Sequence, residues 1–199
     1  MTRFAKDVPP GCVASIVTHL TMDAPAVPRS DSGCAQEGVT LERALPDAER
    51  YLALFRRIGE PWMWHSRLHL AREDLRGIIE DPRVHIYLAQ RGGADIGLVE
   101  LDFRVAGECE LAFFGLIPEA VGAGLGRWMM NRAITLGFAE GVSRLHLHTC
   151  TMDHPGALGF YVRSGFVARR QELDVVPDPR LTGVLPRNAA PHVPVFDPG

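Results

Sequence analysis

Lysine is almost missing from this chain of 199 residues: Lys6 is the only one among 21 basic residues, and the rest are arginine. A P-loop nucleotide site needs a lysine within G-x-x-x-x-G-K-[ST], so that mode of phosphate binding is excluded. Cysteine is sparse and scattered. Cys12, Cys34, Cys109 and Cys150 make no C-x-x-C pair, and free thiols in a reducing cytoplasm are the expectation. No stretch reads as a membrane span or a secretion signal, and no internal repeat is visible. A formal charge of -3 lacks the basic footprint of a nucleic-acid binder and leaves only a slight lean toward cationic substrates. Neither nucleic acid nor membrane is therefore expected as a partner. What remains is ordinary: 46% hydrophobic and 23% charged residues, enough to bury one real core.

The organising stretch runs from Glu110 to Ala139. Glu110-Leu-Ala-Phe-Phe-Gly-Leu-Ile117 is apolar, has the length of a buried strand, and is stopped by Pro118. Val121-Gly-Ala-Gly-Leu-Gly126 then alternates glycines, giving a turn with few side chains to obstruct a ligand. Leu125, Trp128, Met129, Ala133 and Leu136 recur at helical spacing directly afterwards. Unpaired N–H groups at such a helix start, with the helix dipole behind them, form a site for a phosphate. The plainer reading is that the turn lets strand and helix pack closely.

A dinucleotide site would want G-x-G-x-x-G early in a βαβ series, with an acidic residue closing the next strand. Here the glycine spacing differs and the next strand closes on Thr149-Cys150. The remaining ligand is the pyrophosphate of coenzyme A. Val121 to Gly126 matches the [QR]-x-x-G-x-[GA] turn of the GNAT acyltransferases, with valine at the Gln/Arg position. Downstream, His154-Pro-Gly-Ala157-Leu-Gly-Phe-Tyr161-Val-Arg-Ser-Gly165-Phe166 is similar to that family's N-x-x-A-x-x-x-Y-x-x-x-G-F, with histidine for asparagine. Two motifs in the right order make the chain resemble this family most strongly between about Ile86 and Glu172.

The resemblance implies a single-domain α/β fold, a mixed central sheet with helices on both faces, and acetyl-CoA as cosubstrate. It implies coenzyme contacts from Leu116, Ile117, Gly122, Ala123, Gly124, Leu125, Gly126, Arg127, His154 and Tyr161. It further implies that the Tyr161 hydroxyl lies near the coenzyme sulfur, and that a bulge at Gly115-Leu116-Ile117 frees an N–H beside the thioester carbonyl.

Along the chain, Cys12 to Met22 reads as a first strand and Ala24 to Glu37 as a loosely ordered loop, together an amino-terminal part (1–40) of the same domain. Pro46 to Arg57 and Arg72 to Glu80 read as helices. Val84 to Gln90 and Ile96 to Arg104 read as a hairpin leading into the Glu110 strand. Arg144 to Cys150 should lie parallel to that strand, because a helix joins them. Pro155 to Arg163 reads as a helix with Asp153 as its cap, and Phe166 to Val176 as the last strand, which closes the main domain (41–176). The six prolines from Pro177 onward predict an irregular tail (177–199).

For a base, Glu110 leads and His148 follows. Glu100 and Asp102 share a face of the preceding strand and are also eligible. His148 stands near the carboxyl end of its strand, and its ordinary pKa suits proton transfer near neutrality. Trp62 and Trp64 follow the helix stop at Gly59. Such a cluster is ordinarily core, but the resemblance implies acceptor-site walls. His146, His148 and Cys150 share one strand face with His154 close behind, a set that suggests zinc. Ligands two apart on a strand lie about 7 Å apart, a spacing tetrahedral sites rarely use, so no metal is expected. The sequence thus points to an N-acetyltransferase acting on a primary amine, in a small molecule or peptide, by direct attack. An acyl-CoA-binding sensor on the same fold and an NAD-binding oxidoreductase are the alternatives. By prevalence, a homodimer is the oligomer to expect.

Overall fold

The computed structural model describes residues 7–139 and 141–197. In chain order they form β1 (Cys12–Met22), β2 (Val39–Ala44), α1 (Ala48–Gly59), α2 (Arg72–Ile79), β3 (Val84–Arg91), β4 (Ala94–Asp102), β5 (Glu108–Leu116), α3 (Leu125–Gly137), β6 (Arg144–Cys150), α4 (Ala157–Arg163) and β7 (Val167–Pro177). One mixed sheet runs β2-β3-β4-β5-β6-β1-β7. Only the β5–β6 pair is parallel, as the helix between them requires. Strand β2 is the element the sequence reading passed over. It is short and half exposed, with charged Glu42 and Arg43 interrupting its alternation.

Helix α1 starts where Asp47 accepts a hydrogen bond from the Arg50 N–H at 2.8 Å. Tyr51, Leu54, Phe55 and Ile58 lie at three- and four-residue spacing, and all are buried. Two glycines establish which face each helix covers. A Cβ on Gly115 would meet Ile58 of α1 at 2.3 Å, and one on Gly97 would meet Met129 of α3 at 3.1 Å. Gly97 pairs with Leu116, the neighbour of Gly115, so the two glycines point to opposite faces and the sheet is sandwiched between α1 and α3. Strand β4 is accordingly buried from Ile96 through Leu101, the run expected of a strand covered on both sides.

That burial includes a charge. Glu100 is fully buried in β4 and accepts hydrogen bonds from the Tyr51 hydroxyl at 2.5 Å and the Arg67 guanidinium at 2.5 Å. Arg67 also lies over the Phe113 ring, 4.9 Å from its centre. Desolvation, with the negative charge of Glu100, pushes the Tyr51 hydroxyl well above its usual pKa, so it remains a donor. A buried pair of this kind adds little net stability while intact and costs several kcal/mol once one member is removed.

Strands β5 and β6 pair only from Glu108 to Glu110, against Arg144 to His146. Beyond that point they part. The register between β4 and β5 shifts as well: Glu100 faces Phe113 but Leu101 faces Leu111, which leaves Ala112 as the extra, bulged residue. The bulge was expected at Gly115 to Ile117. It lies earlier, where the strands begin to separate, while Ile117 is locked by its N–H donating to Ile96 and its carbonyl accepting from Ala120.

Two segments without regular structure are nonetheless fastened. The loop before β2, expected to be loose, is tied to α3. Asn131 bonds both the N–H and the carbonyl of Arg29, and Arg132 pairs with Asp31 at 3.1 Å. The tail after β7 folds back around Arg180, which is 4% exposed, pairs with Asp178 at 2.7 Å, and donates to the carbonyls of Ala189, Ala190, Val193 and Pro194. Leu185, Ala189 and Ala190 thereby join Val13, Met63 and Met152 in a second small core. His192 closes the tail by bonding the Met152 carbonyl at 3.0 Å and resting 5.4 Å from the Trp62 ring.

Candidate active site

The parting of β5 and β6 opens the sheet between two cavities. One, of about 730 Å³, extends along the glycine turn toward α3 and α4. The other, of about 270 Å³, lies over β5, β6 and β1. They share five residues: Trp62, Trp64, Phe114, Asp153 and Tyr161.

The larger cavity is walled by Gly122, Gly124 and Gly126, by Leu116, and by three arginines, Arg29, Arg127 and Arg163. Gly124 has φ of 76°, and a Cβ there would lie 3.0 Å from Cys34 Sγ and 3.1 Å from Cys34 Cα. Both the left-handed backbone and the crowding demand glycine at that position. The turn delivers the chain to the α3 start, where the first N–H groups lack partners within the helix. Arg127 donates to the Ser32 carbonyl at 2.8 Å while its Nε is buried without a partner. Arg29 and Arg163 have no ion-pair partner among the described residues. A cavity lined by three arginines, the glycine turn at a helix start and the rings of Phe114 and Phe160 offers groups for a polyanionic tail joined to an apolar arm. The edge of β5 that faces the gap supplies backbone groups for that arm.

Not every expected coenzyme contact turns its side chain to this cleft. Ile117 is 4% exposed and both its backbone groups are taken; Leu125 is 2% exposed and its side chain joins the core. The Ala123 carbonyl accepts from Ala35 at 2.8 Å, fastening the loop to the turn. His154 does line the cleft, with Nδ1 accepting from the Gly156 N–H at 2.9 Å and its ring 5.0 Å from Trp62.

Tyr161 stands where the cavities join. Burial of its hydroxyl raises its pKa well above the ordinary value, and the nearby Asp153 carboxylate adds to the rise. It stays protonated at neutral pH and can donate. Asp153 does not cap α4, which begins after Gly156 with no side-chain cap. Its carboxylate instead receives the Thr149 hydroxyl at 2.6 Å, the Cys150 N–H at 2.9 Å and the Trp64 indole N–H at 3.2 Å. Asp153 therefore pins the end of β6 to the aromatic wall. Trp64 packs against Phe55 and Phe113 as core, while Trp62 bridges His154 and His192. Both tryptophans face both cavities. Beside them Met63 holds φ of 61°, a conformation costing a non-glycine residue about 1–2 kcal/mol and held in place by the small core around it.

Of the eligible bases, His148 lines the smaller cavity, and Glu110 lies behind it with Oε1 3.3 Å from His148 Nδ1. The pair is mutual: Glu110 raises the His148 pKa, and His148 lowers that of Glu110. Glu100 is sealed by Tyr51 and Arg67, and Asp102 is held by Arg104 at 2.5 Å, so neither is available. His146 sits 3.6 Å from Glu108, apart from the cavity. No group of three or more His, Cys, Asp or Glu among the described residues could hold a metal ion. None of the described helices is long and apolar enough to cross a membrane. Arg29, Arg163 and Asp174 of β7 also line the cavities, and no sequence motif pointed to them.

A splayed parallel strand pair with a glycine turn opening a helix defines a scaffold for acyl-coenzyme A chemistry. Residues 48–166 match the model of the acetyltransferase (GNAT) family, and the chain belongs to it. Members use acetyl-CoA, and the cleft described above has the groups to hold it. Among solved structures, a GCN5-related N-acetyltransferase from Sphaerobacter thermophilus is similar over 96% of this chain and 55% of its own, with 20% identity and a TM-score of 0.60. One from Kribbella flavida gives 86% and 63% coverage, 19% identity and a TM-score of 0.52. The PaiA N-acetyltransferase of Thermoplasma acidophilum, solved with coenzyme A, gives 66% and 91% coverage, 18% identity and a TM-score of 0.50. This chain thus spans little more than half the length of the Sphaerobacter protein. A search among curated proteins returned no match.

Proposed function

We propose that this protein transfers an acetyl group from acetyl-CoA to a primary amine by direct attack within a ternary complex. The observation that carries the proposal is the meeting, at Tyr161, of a cleft lined by the glycine turn and three arginines with a smaller side-chain-lined cavity. When bound, the thioester supplies an activated acetyl group. Everything else is the work of the chain. His148, with Nδ1 engaged by Glu110, has Nε2 left to take the proton of an incoming ammonium. Glu110 sets the ring orientation and supports the positive charge that forms, acting as a positioning residue for His148. Ala112, bulged out of the β4–β5 ladder, brings backbone to the reacting carbonyl. Tyr161 holds a proton at Oη for the departing sulfur. The acceptor is a small-molecule or peptide amine, and the Trp62 and Trp64 rings pack against its body.

Acetyl-CoA-dependent thiol release over a panel of primary amines tests this, alongside thermal unfolding with acetyl-CoA, CoA and NAD. Ligand at about 100 times its dissociation constant adds about 2.7 kcal/mol, a shift of a few degrees. Stabilisation by CoA species without turnover of any amine would favour a sensor that binds acyl-CoA. Stabilisation by NAD alone would overturn the assignment.

A further inference from the structure

The acceptor cavity has an uneven charge that narrows what it can accept. Its lining includes Trp62, Met63, Phe113 and Met152 as apolar wall, and it contains no lysine or arginine. Two carboxylates reach it, Asp153 and Asp174. Asp153 is saturated by Thr149, Cys150 and Trp64. Asp174 has no hydrogen bond or ion pair among the described residues. Its neighbour on the same face of β7, Glu172, is already engaged by His19 at 2.7 Å and by Arg170. His65, which also lines the cavity, feels the Asp174 charge, but burial and the neighbouring His69 outweigh it and hold the His65 pKa below its ordinary value, so the Asp174 charge is left uncancelled near neutrality. Asp174 pairs with Ser15 of β1, while Val17 of β1 pairs with Cys150 of β6. Asp174 thus stands, backbone to backbone, about 12 Å from Cys150 at the end of β6 and about 16 Å from His148, which pairs with His19 four residues further along β1, so a chain lying over the sheet between the two side chains joins them.

We infer, building on the acetyltransferase reading above, that the acceptor is a slender amine with a second cationic group at its far end, and that Asp174 holds that second charge. An acceptor ending in a carboxylate meets no cation in this cavity and faces Asp174 directly. An acceptor with one amine leaves Asp174 unanswered. The volume of about 270 Å³, just below the range for drug-sized ligands, suits a narrow chain rather than a bulky ring system.

Three acceptors of similar length separate these cases: hexamethylenediamine, hexylamine and aminocaproic acid. Acetylation of each is followed in the wild type and in Asp174→Asn, and binding of each to the CoA-loaded protein is measured by titration calorimetry. The expected order is diamine, then monoamine, then amino acid. The diamine should exceed hexylamine by about five- to tenfold in kcat/KM, mostly through KM and beyond the factor of about two for its equivalent ends. In Asp174→Asn the diamine-to-monoamine ratio collapses, while the thermal midpoint is nearly unchanged because the replaced side chain is exposed and makes no hydrogen bond or ion pair among the described residues. Equal binding of diamine and monoamine, or a ratio that survives Asp174→Asn, overturns the inference even if acetyl transfer is observed. If the binding order holds and Asp174→Asn abolishes it while no amine is acetylated, the dicationic ligand stands and the transfer reading falls.

Discussion

The two cavities that meet at Tyr161 are built by opposite means. The coenzyme side is centred on backbone, with alternating glycines, a helix start and one unpaired strand edge in the continuous run from Phe114 to Arg127, and α4 and Arg29 closing around it. The acceptor side is made of side chains from β1, β5, β6, β7 and the turn after α1, as far apart as Ser15 and Val176. Backbone geometry needs little support beyond the correct glycine. A wall of side chains needs a second layer to hold it, here Arg67 and Glu100 behind Phe113, and the tail core behind Met63 and Met152. The difference teaches where each half is vulnerable: one to local conformation, the other to loss of distant supports.

The largest effect should follow from breaking the support of the acceptor side. Arg67→Ala leaves Glu100 buried and unpaired and should lower stability by about 3–5 kcal/mol in urea unfolding. A loss under about 1 kcal/mol would mean that the wall does not depend on this pair. Next comes the junction. Tyr161→Phe should reduce kcat by about a hundredfold or more, with the CoA dissociation constant nearly unchanged, in steady-state and binding assays. Equal loss of CoA binding would make Tyr161 part of the coenzyme wall only. On the coenzyme side, Gly124→Ala forces a side chain into the left-handed region against Cys34. It should cost about 1–2 kcal/mol of stability and weaken CoA binding while hexylamine binding persists.

The smallest effect is a displacement in pH. Because Glu110 raises the His148 pKa above its ordinary 6.5, the rising limb of kcat against pH should lie above that value, and Glu110→Gln should move it down. The linkage has the matching sign. The raised His148 pKa contributes stability that is present below about 6.5 and is lost as pH rises through the folded-state value. The lowered Glu110 pKa contributes stability present above its ordinary 4.5 and lost as pH falls. Since the His148 side chain is 53% exposed, solvent screening makes both contributions small. A limb that Glu110→Gln leaves in place would remove His148 and Glu110 from proton transfer.

How far the sequence could be read follows the same division. The glycine turn, the α3 stripe, the Tyr161 motif and the parallel β5–β6 pair were legible because each is local: a few residues fix the backbone or the periodicity. Strand β2 was missed because its pairing with β3, not its own alternation, makes it a strand. The bulge was placed three to five residues late, because register depends on what β4 offers opposite it. Asp153 looked like a cap from its position before a helix, but it turns back to Thr149 and Cys150 and also takes the indole of Trp64 from 89 residues away.

By itself, then, the sequence determined the mixed α/β class, the order of most elements and the glycine turn that opens α3, since short-range sterics and periodicity act within a few residues. Tertiary structure alone decided which of several acidic residues and histidines stand in the cavity. Glu100 was withdrawn into the core, His148 was left at the opening, and Arg29 and Asp174 were carried in from segments that no motif marked. The physical reason is that burial and charge environment depend on neighbours brought together across the sheet, which local sequence does not encode.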